Sequence, residues 1–405
     1  MTANAPPLAG LRVLDLSRVL AGPWCTMTLA DLGAEVWKIE NPDGGDDTRK
    51  WGPPFVAGES AYFLAINRNK KGLALDLRNP EAQKVVRDLA AKADVLVENY
   101  RTGALAKYGL DWPTLQAINP RLVYCSISAY GRSSPMADRP GYDFVVQAEG
   151  GLMAITGAPD GEPMKVGVAI CDVLAGKDAT AAVLAALIAR ERTGRGQHID
   201  VALLDATVAA LVNVASAWLV SREAPQRYGN AHQTTVPYQI FPTGDGMIAL
   251  ACGNDLQFAA LCRRALDRPD LVDDPRFARN VERVRHRSVI VPLLTGIFRS
   301  NTTRHWFDRL LAAGVPAGIV REVPDVLTAP EVRARGMVVT VDHPTAGPLE
   351  IVASALRLSD TPVIAPAPPP TLGQHTESVL ADVLGLDANA IEGLRAAGAI
   401  GRAVL

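Results

Sequence analysis

The stretch LRVLDLSRVLAGPWCTMTLADLGAEVWKIE, residues 11–40, decides the fold. Its opening, Leu11–Leu16, is a short apolar run rich in branched side chains, which is the pattern of a buried strand. Trp24–Leu32 carries its apolar residues at helical spacing, and Glu35–Ile39 returns to strand. Working outward, Leu73–Leu77, Val95–Val97 and Leu122–Ile127 read as further strands. A helix opens at Pro80, a favourable residue in a first turn, and runs to about Lys92. Strands alternating with helices imply parallel βαβ units in a doubly wound sheet, a Rossmann-like α/β domain. Ligands of such sheets sit at the carboxyl ends of the strands. No GxGxxG follows any of these strands and no GxxxxGK[ST] occurs, which argues against dehydrogenase and kinase chemistry.

Further along, a long helix is expected from Asp172 to about Arg192, apolar all round in its middle and therefore buried. A second apolar helix is expected from about Leu203 to Val220. Tyr238–Ala251 reads as a hairpin turning at Gly244-Asp245-Gly246. Helices dominate from Asp255 to Ala313, and Gly314–Gly318 is a breaker. Five prolines between Pro362 and Pro370 mark an extended linker. The composition turns polar near Arg222–Thr235, a domain junction. The expected division is residues 1–220 with 331–405 as the large domain, and 221–330 as a smaller α+β domain.

The 405 residues carry a net charge of -2 and no strong basic run, which excludes a nucleic-acid partner as the natural reading. The first ten residues lack the charge and apolar stretch of a signal peptide. The longest apolar run, Ala181–Ala189, is too short for a bilayer, which needs about 20 residues. Five scattered cysteines read as reduced thiols, and no Cys/His cluster suggests a metal. A cytoplasmic protein without membrane association is the expectation.

Several side chains carry possible chemistry. Asp172, at the start of the Ala-rich helix, is either an N-cap or a carboxylate nucleophile at a helix N-terminus. Asp43, Asp46 and Asp47 form a solvated acidic loop or, less naturally, a cation site. Asn67–Lys71, with Arg78 beyond, is a solvated basic loop or a phosphate contact. Asn99 and Tyr100 follow a strand at the ligand end of the sheet, and Tyr100 either stacks on a flat ring or fills the core. Tyr142-Asp143 either cap and pack a helix or act on substrate.

Taken in order, LAGLRVLDLSRVLAGP from Leu8, DLGAEVWKIENP from Asp31, NRNKKGLALDL from Asn67, DVLVENYRTGAL from Asp94, RPGYDFVVQAEGG from Arg139, TGRGQHIDVALLDA from Thr193 and LGQHT from Leu372 resemble the class III CoA transferases. This family (the CaiB/BaiF type) includes formyl-CoA and carnitine CoA transferases. The resemblance implies that Asp172 is the nucleophile, passing through an aspartyl anhydride and an aspartyl-CoA thioester, with Tyr142 at the active site. It implies CoA contacts at Val19, Ala21, Leu75, Arg78, Asn99, Tyr100, Ala104 and Lys107. Coenzyme A and acyl-CoA are then substrates, with no tightly bound cofactor, ATP or metal. The family's interlocked homodimer is implied as well.

The related α-methylacyl-CoA racemases place a histidine where this chain has Tyr142. A phenol with a pKa about 10 is a poor substitute for an imidazole near 6.5 in two-base proton exchange. The transferase is favoured over the racemase, and the intact Asp172 speaks against a non-catalytic CoA-ester binder. Leu20, where formyl-CoA transferases carry glutamine, counts against an oxalate acceptor, as does Gly229–Gln233 in place of a glycine-rich loop. DDTRKWGPPF from Asp46 and AHQTTVPYQIF from Ala231 resemble the family members that take succinyl-CoA as donor and glutarate as acceptor. A distal carboxylate calls for a cation, for which Arg18, Arg49 and Arg68 are the candidates.

Overall fold

The computed structural model describes residues 4–403. The expectation of a missing signal peptide rests in part on residues 1–3, which lie outside them. The chain divides into two compact units, one of residues 4–152, 166–219 and 330–403, the other of 153–165 and 220–329. Residues 153–165, assigned from sequence to the large domain, belong to the second unit. Arg227 ties them there, donating to the carbonyls of Ala154, Ala158 and Gly161.

The first unit is built on β1 (Arg12–Asp15), α1 (Ala21–Asp31), β2 (Glu35–Glu40), β3 (Lys70–Ala74), α2 (Pro80–Ala90), β4 (Val95–Glu98), α3 (Trp112–Ile118) and β5 (Val123–Ser128). There follow α4 (Asp143–Glu149), α5 (Ile170–Thr193), β6 (His198–Ala202), α6 (Leu203–Ala210) and α7 (Val212–Ser221). The six strands form one parallel sheet in the order β3-β2-β1-β4-β5-β6, that of doubly wound dinucleotide-binding sheets. Val13 faces Val36 on one side and Val95 on the other. Successive residues feed opposite cores, as the period of two demands: Val13 packs among α1 and α5, Leu14 among α2 side chains. The order reverses between β1 and β4, which opens the ligand crevice at their carboxyl ends.

β6 was not legible as a strand. Its alternating HIDVA lies at the sheet edge, where only Ala202 is buried, so no continuous apolar run marks it. The opposite edge, β3, is covered by the C-terminal segment. His375 exchanges two hydrogen bonds with the Gly72 backbone and Thr376 Oγ1 accepts the Ala74 N–H. The LGQHT signature thus closes a sheet edge. The proline-rich stretch has no regular structure, as expected, but it is pinned rather than loose: Asn69 Oδ1 accepts the Ala367 N–H at 2.6 Å and Asp31 O accepts that of Ile364 at 2.9 Å.

Two helix expectations need correcting. α5 is not buried all round: Ala175, Ala179, Val183 and Ala186 form a buried stripe, whereas Ile188 is 67% exposed. The second apolar helix breaks into α6 and α7, bent by 73°. None of the described residues of α7 is classed as buried, although Val212, Trp218, Leu219 and Val220 are apolar. Among the described residues no single helix is long and apolar enough to cross a membrane, though this bent pair passes by length and composition.

The second unit holds the expected hairpin, β7 (Tyr238–Pro242) and β8 (Met247–Ala251). β9 (Ala317–Ile319), within and beyond the supposed breaker, adds a third antiparallel strand. Helices α8 (Arg287–Arg299) and α9 (Thr303–Ala312) cover the sheet through Phe298, Trp306 and Leu310, packed with Phe241. A last hairpin, β10 (Val338–His343) and β11 (Gly347–Val352), returns to the first unit.

Candidate active site

The turn Ser17–Leu20 joins β1 to α1 at the point where the strand order reverses, and the surrounding side chains hold it from every side. Asp15 accepts the Ser17 N–H at 2.9 Å and its hydroxyl at 2.5 Å, together with the Thr26 hydroxyl at 2.7 Å. Lys38 donates to the Ser17 carbonyl and to Asp46, both at 3.0 Å. Lys70 donates to Asp15 at 3.1 Å. The side chains of Lys38, Asp46, Lys70 and Asp15 are fully buried. Burial alone would raise the Asp15 carboxyl, but Lys70 and Lys38 hold it below its ordinary value. Burial likewise opposes the Lys38 charge, yet Asp46 and Asp15 keep its pKa raised. Lys70 is pushed down to about 8, by burial first.

This network corrects two sequence readings. Asp46 is no solvated loop residue; it is 1% exposed. The basic run is spent internally: Arg68 pairs with Asp31, Lys70 with Asp15 and Lys71 with Glu35.

The network also supports backbone strain. Val19, β-branched, has φ 69°, a left-handed conformation that costs on the order of 1–3 kcal/mol for such a residue. Asp46 accepts its N–H with both oxygens at 3.3 Å. Across the crevice, Asn99 clasps Arg18, accepting its N–H at 2.8 Å and donating to its carbonyl at 2.7 Å. The Arg18 guanidinium lies 5.2 Å from the centre of the Tyr100 ring, against its face.

Of the other expected CoA contacts, Ala21 opens α1. Leu75 follows β3, buried and bridged to Ile400. Arg78 is exposed and forked onto Asp76 at 2.8 Å, with Asp43 and Tyr108 close enough to act on its charge. Lys107 lies 4.7 Å from the centre of the Tyr108 ring and Ala104 sits one turn earlier. Val19, Leu75, Arg78, Asn99 and Tyr100 therefore all follow strands at the carboxyl end of the sheet.

Asp172 does not cap its helix. The N-cap position of α5 is Ala169 and Asp172 is the third helical residue. The role falls to Asp143 in α4, whose Oδ1 accepts the N–H of Cys171 at 2.7 Å and that of Asp172 at 3.4 Å. The Asp172 carboxyl is pushed up to about 7, by burial first and then by the Asp143 charge. The same two carboxylates, after burial, help push the Tyr62 phenol up to about 12, which sets Tyr62 beside them. Trp51 meets that ring edge-on at 5.2 Å. The sequence reading did not name Tyr62, and it left Asp143 open between a helix cap and a group that acts on substrate. α5 reaches the crevice because Gly176, one turn beyond Asp172, presses on α1, where an added Cβ would lie 2.7 Å from the Ala21 carbonyl. Tyr142 is 64% exposed, just ahead of α4.

The three candidate arginines separate clearly. Arg49 is consumed by Glu40, through 2.7 and 2.8 Å bonds, and by the Pro370 carbonyl. Arg68 is consumed by Asp31 and the Val352 carbonyl. Arg18 remains 46% exposed, with a 3.4 Å contact to Asp47.

Fold and site together define a doubly wound α/β protein with a proton-hungry carboxylate at its switch-point crevice and cationic side chains along one rim. Residues 8–376 match the model of CoA-transferase family III. The chain is 44% identical to the mouse succinyl-CoA:glutarate CoA-transferase, covering 97% of this chain and 90% of that protein. It is 45% identical to the succinate–glutarate CoA-transferase of Agrobacterium fabrum, over 95% of this chain and 97% of the other. A crystal structure of a CaiB/BaiF family protein from Brucella suis superposes with a TM-score of 0.84 at 44% identity, covering 94% of this chain and all of that one. The chain belongs to CoA-transferase family III and is an enzyme that transfers CoA between carboxylic acids.

Proposed function

We propose that this enzyme moves CoA from succinyl-CoA to glutarate or a closely related dicarboxylate through covalent intermediates on Asp172. The placement of Asp172 carries the reading. It is a partly buried carboxylate whose charge burial disfavours, one helical turn from the contact between α5 and the start of α1. A desolvated carboxylate is a stronger nucleophile than one in water.

An Asp172 oxygen attacks the thioester carbonyl, the C–S bond breaks and CoA leaves as the thiolate. The thiolate then attacks the Asp172 acyl carbon of the mixed anhydride and releases the donor acid as its carboxylate. The acceptor carboxylate attacks the resulting aspartyl-CoA thioester, and the same steps in reverse deliver its CoA ester. Acyl activation is conserved throughout, so neither ATP nor a metal enters the balance.

Val19, Asn99, Tyr100 and the Ala104–Lys107 turn line the CoA path in this reading, with Arg78 and Lys107 on phosphates. Tyr142 lies on the acyl side. Arg18, whose guanidinium retains solvent access, is the partner for the acceptor's distal carboxylate. The names of the two relatives support the choice of acids. Five buried, unpaired cysteines fit a reducing cytoplasm, and the exposed apolar face of α7 fits an interlocked homodimer.

The test mixes purified protein and succinyl-CoA with an equimolar panel of mono- and dicarboxylates, without ATP or metal, and reads new thioesters by mass spectrometry. Glutaryl-CoA as the main product, lost in Asp172→Ala, is the expected outcome. No new thioester from any acid overturns the substrate assignment, and transfer surviving in Asp172→Ala overturns the nucleophile.

A further inference from the structure

We propose that Asp143 is a positioning residue for the transfer reaction: it occupies the free N–H groups at the start of α5 and sets its own negative charge against the Asp172 carboxylate, which together keep that carboxylate basic. The inference rests on Asp172 being the nucleophile.

A helix N-terminus ordinarily stabilises a nearby anion through its unpaired N–H groups and its dipole. A nucleophilic carboxylate at that place would gain charge stabilisation and lose reactivity. Here the donors are spoken for. Asp143 Oδ1 takes the Cys171 N–H at 2.7 Å and reaches the Asp172 N–H at 3.4 Å.

Asp143 is itself locked. It is 9% exposed, and its Oδ2 accepts from Gln147 Nε2 at 2.7 Å. The same amide nitrogen reaches the Val168 carbonyl at 3.3 Å, and its oxygen accepts the Val166 N–H at 2.8 Å. Gln147 thus ties α4 to the segment that leads into α5, and the Asp143–Gln147 pair sets both the place of Asp172 and its electrostatic surroundings. The titratable groups facing Asp172 are Asp143 from α4, Tyr62 from the helix Ala61–Ile66, and Cys171 from its own helix. Of these, Asp143 is the one whose charge acts on Asp172. After burial, that charge is the cause holding Asp172 up at about 7.

The experiment follows, by intact-protein mass spectrometry, the single-turnover rate of CoA adduct formation on Asp172 from pH 5 to 9. It compares wild type, Asp143→Asn and Asp172→Ala. The asparagine keeps an oxygen for the Cys171 N–H and removes the charge. In the wild type the rate should rise through about pH 7. In Asp143→Asn the acid limb should move down by about 1–2 pH units, and the plateau rate should fall as the nucleophile becomes less basic.

An acid limb unmoved in Asp143→Asn overturns the proposal and leaves Asp143 a purely structural cap. If that variant does not fold, the wild-type profile decides. A limb near 7 supports the proposal, and one near the ordinary carboxylate value of about 4 overturns it. Adduct formation in Asp172→Ala would instead sink the nucleophile assignment on which the proposal rests.

Discussion

Asp172 shows how a reactive residue and a stable one differ. Its folded-state pKa, about 7, exceeds the ordinary carboxylate value, so the native protein holds a proton that the unfolded chain has already released. Native stability therefore falls as pH rises from about 4 to 7, and the cost of the buried charge is complete above 7. Asp172→Asn should abolish transfer yet stabilise the protein at pH 8 by about 1–2 kcal/mol, with the gain vanishing near pH 4. Thermal unfolding of both proteins at pH 4, 6 and 8 checks this; a variant no more stable at pH 8 contradicts the buried-charge account. Arg78 makes the opposite kind of contribution. Exposed and forked onto Asp76 rather than packed in the core, it is able to turn to a phosphate without disturbing the core. Arg78→Ala should raise KM for acyl-CoA about tenfold, the worth of one charge-assisted hydrogen bond, and leave kcat nearly unchanged. A lowered kcat with unchanged KM would remove Arg78 from the CoA path.

At the scale of elements, the site depends on two close approaches. α5 presses against α1 through Gly176, and α1 begins at once after the turn, which its second residue, Gly22, meets with no space to spare: an added Cβ would lie 2.2 Å from Ser17 Cβ. Gly176→Val should cost about 1–3 kcal/mol by forcing the helices apart. It should also lower kcat more than 10-fold, because a misplaced catalytic group loses alignment steeply. Chemical denaturation alongside single-turnover kinetics separates the two losses. The turn's other support is the buried Lys70–Asp15 pair. Asp15→Ala leaves a buried lysine unpaired and should destabilise the fold by about 3–5 kcal/mol, read from the denaturation midpoint. The LGQHT segment makes a related point, since a stretch diagnostic of the family turns out to seal a sheet edge, far along the chain from Asp172.

At the scale of the molecule, large apolar side chains on α7, and Ile188 on α5, remain exposed within one chain. Val212, Val220 and Ile188 are each more than 60% exposed. The homodimer proposed above would cover them. Light scattering should give twice the 43.0 kDa chain mass at micromolar concentration. Val212→Glu with Leu219→Glu should shift that mass toward the monomer and cost activity with it. A fully active monomer would show that the site is complete in one chain.

The sequence by itself determined the βαβ alternation, the parallel sheet and the CoA-transferase family, because these follow from local periodicity and from motifs contiguous in the chain. It did not reveal β6 or β9, whose short strands lack a continuous apolar run and are strands only because a neighbour pairs with them. It left Arg18, Arg49 and Arg68 equivalent; only the fold, by bringing Glu40 to Arg49 and Asp31 to Arg68 in buried pairs, leaves Arg18 the most exposed of the three. It read Asp46 as solvated because the burial of a charge depends on a partner, and Lys38 arrives from the neighbouring strand. The capping of α5 by Asp143 was settled by tertiary structure too. A helix end is satisfied by whichever side chain reaches it in space, and here that side chain comes from another helix, 29 residues earlier in the chain.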